Sequence, residues 1–212
     1  MKTKFFYLVA IMVGMMYCTT VSAQDDKLML KQQKAVLKQA MKDAKKQAKE
    51  LKKDGWKVAV GGSPIESQLT DFYMKERGGK IGLTKYIVGQ SEAVSGSYAA
   101  ARQIAIARAR QEIASTINTK VAGILESTMT NVQTSAVDVA TVQKDVSTAK
   151  QLVDQSLDKT EIIIEIYREV NNNTQFQIGV AYSDSMAKDI LKQSMSSASA
   201  DAKAKAESRW DD

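Results

Sequence analysis

The chain has 212 residues, 44% hydrophobic and 25% charged, and 30 basic against 24 acidic side chains give a net charge of +6. It contains no histidine and a single cysteine, Cys18. Ser-His-Asp and Cys-His catalysis lack their imidazole base, and no Cys/His zinc site can be assembled.

Lys2 and Lys4 precede an apolar run over residues 5–16, and Val21-Ser22-Ala23 comes just before Gln24-Asp25-Asp26. A basic start, a short apolar stretch and a small-x-small site are the marks of a secretory signal peptide over residues 1–23, cleaved between Ala23 and Gln24. The run is shorter than the roughly 20 apolar residues a membrane-spanning helix needs. Lipidation of Cys18 and retention as an uncleaved anchor are the alternatives; the bulky Met15-Met16-Tyr17 before Cys18 fits a lipidation signal badly. Cleavage after Ala23 would leave 189 residues with a charge of +4, no cysteine and no disulfide.

Residues 24–54 predict a basic amphipathic helix. Ten lysines stand between positions 27 and 53 against only Asp43 and Glu50, a local charge of +8. Neither Gly nor Pro interrupts good helix formers. Leu30, Leu37, Met41, Ala44, Ala48 and Leu51 form a heptad-like seam. Three roles follow: docking on the rest of the chain, pairing with another helix, or attraction to an anionic membrane surface or glycan. Lys38, Lys42, Lys45 and Lys49 are the candidate anionic-surface contacts. Nucleic acid is a poor partner, since no aromatics interleave with the lysines to stack on bases.

Residues 55–193 predict an α+β domain. Trp56 to Val60 alternates as a strand. Gly61-Gly62 turns the chain, and Ser63-Pro64-Ile65-Glu66 reads as a helix start with Ser63 as cap. A phosphate-holding loop at Gly61-Gly62-Ser63 is disfavoured by its lack of a lysine and of length. Residues 85–94 read as a second strand, in which Gly89 marks a bulge or a close backbone approach. Residues 98–117 form the clearest helix, with Ile106, Ala109, Ile113 and Ile117 on one face. Arg102 and Arg110 flank that face and Arg108 lies opposite; flanking arginines pair with strand carboxylates more often than they bind ligands, and the three are also candidate interface residues.

Residues 118–129 carry Thr119, Val121, Ile124 and Thr128 and predict a third strand. Residues 134–157 place Val139, Val142, Val146, Ala149 and Val153 at helical spacing. An Ile-rich strand over 161–170, a three-residue Asn171-Asn172-Asn173 loop and alternating Phe176, Ile178, Val180 and Tyr182 predict a hairpin. Ser183 then caps a closing helix. Residues 194–212 read as a polar tail, frayed or disordered. The expected architecture is a two-layer sandwich: a mostly antiparallel sheet with helices on one face, preceded by the basic helix.

The stretch Val88-Gly89-Gln90-Ser91-Glu92-Ala93, followed by the Ala101, Ala105, Ala109-Arg110 and Ile113-Ala114 spacing, resembles the Lpp-type small surface lipoprotein family. That family includes a flagellar outer-membrane ring protein. The resemblance covers about residues 86–125 and implies an envelope module that assembles with itself or with other envelope proteins. It implies a following strand near Val121 and no catalytic residues; no cofactor is expected. The chain departs from the family in lacking a convincing lipidation signal.

The leading functional expectation is a non-enzymatic structural or interaction protein of the bacterial cell envelope, periplasmic or associated with the outer membrane. The alternative is a periplasmic holdase chaperone using the basic helix. A carboxylate enzyme built on Glu66, Glu92 or Glu112 is disfavoured, because these positions show no pairing and only 6% of the chain is aromatic. No small-molecule substrate is implied.

Overall fold

The computed structural model describes residues 2–130, 136–195 and 198–211. In chain order these form α1 (Lys2–Lys53), β1 (Lys57–Val58), α2 (Ile65–Gly78), β2 (Tyr86–Ser95), α3 (Tyr98–Thr130) and α4 (Ala136–Ser156). Then follow β3 (Glu161–Val170), β4 (Asn173–Ser183), α5 (Asp184–Ser194) and α6 (Ala200–Asp211). The four strands make one antiparallel sheet in the order β1-β3-β4-β2, so the α+β class and the antiparallel sheet agree with the sequence reading.

The hairpin loop has two residues rather than three. Val170 pairs with Asn173, and only Asn171 and Asn172 stand outside the ladder, both with positive φ. Two left-handed residues match the right-handed twist of the flanking strands.

One sheet face packs on α3. Phe176, Ile178, Val180 and Tyr182 of β4 join Ala101, Ala105, Ala109, Ile113 and Ile117 in one cluster. The approach is close because the helix presents alanine. A Cβ at Gly89 would stand 2.5 Å from the Ala109 carbonyl oxygen, so glycine serves the backbone approach rather than a bulge.

Helices were expected on one face only. The α3 side meets that expectation, and α1 and α2 add a layer on the other. Ile65, Leu69 and Phe72 of α2, with Ala44 and Ala48 of α1, pack on Ile164, Ile166 and Ala181. The cause lies in β3. Its register slips between Ile162 and Ile164, leaving Ile163 as an extra residue. Ile162 packs with the α3 cluster, while Ile163, Ile164 and Ile166 pack with the α2 cluster. A strand apolar on both sides needs both sides covered.

Further expectations are corrected. The strand over 118–129 does not form; α3 continues through Val121 to Thr130. Ile117, Val121, Ile124, Leu125 and Thr128 are all buried, a 3.6-residue periodicity that prevails over the β-branched composition. The strand the family resemblance placed near Val121 is absent for the same reason. The polar tail is ordered over α6, with Ala206 and Trp210 buried one turn apart. Ser63 does not cap α2: the helix begins at Ile65, and the Ser63 carbonyl oxygen instead accepts from the Gln68 side chain at 2.6 Å. The first strand shrinks to two residues, with Val60 fully exposed beyond it. Of the helix expected over 134–157, positions 134 and 135 lie outside the described residues.

Candidate functional site

The lysine-rich half of α1 is positioned by its docking on α2. The helix buries small residues, Ala40, Ala44 and Ala48, with Leu51 packed beside them. Polar contacts fix its rotation. The Arg77 guanidinium is 2.7 Å from the Asp43 carboxylate and holds that carboxyl below its usual pKa. The Tyr73 hydroxyl donates to Gln47, and the Gln33 amide donates to the Ile81 carbonyl oxygen at 3.4 Å.

This rotation corrects the heptad seam. Its C-terminal members Ala44, Ala48 and Leu51 dock, but Leu30, Leu37 and Met41 are 51%, 41% and 52% exposed. The docked line is Gln33, Val36, Ala40, Ala44, Gln47, Ala48 and Leu51. Alanines permit a closer helix–helix approach than leucines, and the polar anchors are at Gln33, Asp43 and Gln47.

Lys38, Lys42, Lys45 and Lys49 are all exposed, as is Lys34. At 3.6 residues per turn these five occupy an arc of about 80°. Leu37, Leu30 and Met41 occupy the adjoining arc of about 40°. The surface is thus amphipathic a second time: a docked alanine face, a narrow exposed apolar strip, then a lysine face. Met41 also opens onto a groove of about 590 Å³ shared with Pro64, Thr70 and Met74 of the α2 region. The structure therefore brings the four predicted lysines together. Ala23 and Gln24 fall within the α1 backbone run; their side chains, like that of Cys18, lie outside the described residues. Among the described residues no helix is long and apolar enough to cross a membrane.

The three arginines of α3 are not one cluster. Arg102 forms a two-pronged pair with Glu165 of β3. Arg110 binds Asp158 and Thr160 at the start of β3. Arg108 alone reaches outward to the rim of the sheet, where its guanidinium donates to the Glu92 carbonyl oxygen at 3.1 Å. Beside it the Glu112 carboxylate accepts the Gln90 backbone N–H at 2.7 Å. These two side chains cap the outer edge of β2, a feature the sequence reading missed for Glu112.

The candidate carboxylates do not converge. Glu66 opens α2, Glu112 is tied to Gln90, and Glu92 accepts from Gln175 at 2.7 Å. A cleft of about 310 Å³ between α4 and α5 was also not foreseen; in it the Tyr182 hydroxyl donates to the Ser156 hydroxyl at 2.9 Å. In α4, burial raises the pKa of Asp145, which is 4% exposed.

Comparison with models of protein families, with characterised proteins and with solved structures finds no match to this chain.

Proposed function

We propose that this chain is an exported, non-enzymatic interaction protein of the bacterial cell envelope that rests on an anionic lipid surface through α1. The observation that carries the reading is the lysine face bordered by exposed Leu30, Leu37 and Met41. Lysines alone would suit any polyanion. The adjoining apolar strip favours lipid, because interfacial helices bury such a strip at the headgroup boundary while their lysines meet the charge. Docking on α2 holds the strip and the lysines outward together, so little ordering is required on binding. The signal-like segment over residues 1–23 and the family resemblance of residues 86–125 support the envelope placement.

Sedimentation of the purified protein with vesicles tests this. Binding is expected to phosphatidylglycerol-containing vesicles and not to pure phosphatidylcholine, and to weaken with added salt. Each lysine near such a surface contributes about 1 kcal/mol. Replacing Lys38, Lys42, Lys45 and Lys49 with Glu is therefore expected to weaken binding by about 1000-fold or more. Equal binding to both vesicle types, or no loss in the fourfold variant, overturns the reading.

A further inference from the structure

The two edges of the sheet are treated differently. At one edge β1 is two residues long and begins with Lys57, which leaves little for another strand to pair with. At the other, β2 runs for ten residues in unbroken register with β4. It has no proline, no lysine or arginine and no bulge, and Glu92 is its only charge. Proteins commonly blunt a long exposed edge with those devices.

The polar groups of this edge can be located. In an antiparallel ladder the N–H and C=O of one residue point the same way, and the direction alternates along the strand. The Gln90 N–H and the Glu92 C=O point away from β4, since α3 side chains bond to them. Val88 and Val94 share that parity, so their N–H and C=O groups also point outward.

We infer that β2 is a pairing edge for a second copy of this chain, joined antiparallel about a two-fold axis at Ser91. The register follows from parity and composition. With Ser91 facing Ser91, Gln90 faces Glu92 of the second copy, and Val88 faces Val94, which covers a valine that is 53% exposed in the single chain. On the α3 side, Gly89 faces Ala93 of the second copy, small residues that let the two α3 helices approach. Arg108 sits over Glu92 and Glu112 over Gln90. The two-fold therefore brings Arg108 of each copy to Glu112 of the other. Both side chains leave the edge backbone groups they now cap and form two symmetric ion pairs, while strand–strand hydrogen bonds replace the caps. An isologous contact must be self-complementary, and this one is so in backbone, apolar and charged groups. The contact adds self-assembly to the envelope reading above but stands on β2 and the α3 side chains beside it, not on α1. It is measured without lipid, so its failure and that of the lipid reading are distinguishable.

Sedimentation velocity of the purified exported protein, at about 1 to 100 µM and moderate salt, reads the contact. A concentration-dependent monomer–dimer equilibrium is expected in that range, typical of weak interfaces. Glu92→Pro removes one outward backbone donor and no ladder bond to β4, losing on that side only the exposed Glu92–Gln175 side-chain bond, and is expected to leave a folded monomer by circular dichroism. Arg108→Glu or Glu112→Arg alone sets like charges together across the axis and is expected to weaken dimerisation at least about tenfold. The double variant Arg108→Glu/Glu112→Arg restores the pairing and should recover it to within about threefold. If Glu92→Pro fails to fold, the charge-reversal set decides. A wild-type monomer throughout the range, a dimer indifferent to both single reversals, or a double variant as weak as the singles overturns the inference.

Discussion

Trp210 is fully buried two residues from the end of the chain, and its surroundings account for the order of α6. Its indole N–H donates to Asp184 of α5 at 3.0 Å. The Lys120 ammonium of α3 lies 4.2 Å from the ring centroid and donates to the Trp210 carbonyl oxygen at 2.7 Å. Arg209 donates to Ser127 at 2.6 Å, and Lys188 pairs with Asp211 at 2.7 Å. One aromatic side chain thus ties α6 to both α3 and α5. Trp210→Ala is expected to lower stability by about 3–5 kcal/mol, read as a lower urea midpoint at unchanged slope. A shift under about 0.5 kcal/mol, the range of an ordinary surface change, would mean that α6 does not carry this load. The composition around Trp210, alternating Ala and Lys, gave the reading of a frayed tail. The signal that could have corrected it is the i, i+4 pair of Ala206 and Trp210, since a tryptophan placed one helical turn after an alanine is a docking stripe in miniature.

At the scale of elements, periodicity was legible and termination was not. The α3 helix, the hairpin and α5 follow from spacing alone. The error over residues 118–129 came from weighing residue type above period. Thr119 and Val121 favour strands individually, but Ile117, Val121, Ile124 and Thr128 continue the stripe begun at Ala101. Gly123, a poor helix former, is tolerated because it faces open space on the outer side of the helix, where a missing side chain forfeits no packing. The α1 seam misled for another reason. A lone helix has no means of choosing between two neighbouring stripes, and the choice falls to Arg77, Tyr73 and the Ile81 carbonyl, which lie far along the chain. Two substitutions separate the stripes. Ala44→Leu overfills the α1–α2 contact and is expected to cost about 1–3 kcal/mol. Leu37→Ala, which the heptad reading would make costly, is expected to change stability by less than about 0.5 kcal/mol. Chemical denaturation of both variants checks this, and the reverse order of effects would restore the heptad seam.

At the scale of the molecule, the two apolar clusters lie on opposite faces of one sheet and draw on the same strands. Leu69 anchors the α2 side and Ile117 the α3 side, and both are almost wholly buried. β4 lends Ala181 to the α2 side and Phe176, Ile178, Val180 and Tyr182 to the α3 side, and the slip at Ile163 divides the isoleucines of β3 between the two cores. The Gln68 side chain adds a direct link, accepting the Glu165 backbone N–H at 2.8 Å, while the Glu165 carboxylate faces the other way to Arg102 of α3. Melting either helical layer would bare one face of β3 to water while the other face stayed packed. On the α2 side the bared face carries Ile163, Ile164 and Ile166, and on the α3 side Ile162, with Phe176, Ile178 and Val180 of β4 beside it; each fully buried side chain of that kind is worth roughly 1.5–3 kcal/mol. Neither layer can therefore leave without unsettling the sheet that holds the other. Leu69→Ala and Ile117→Ala are each expected to cost about 2–5 kcal/mol, through lost burial and the cavity left behind. Because the two sites belong to separate clusters on opposite faces of the sheet, the double variant should show the sum to within about 0.5 kcal/mol. Each variant should still unfold in one transition, with coincident fluorescence and circular dichroism curves. Two separated transitions in Leu69→Ala would mean that α1 and α2 form a detachable layer, and the lysine face would then ride on a mobile arm rather than on a fixed platform.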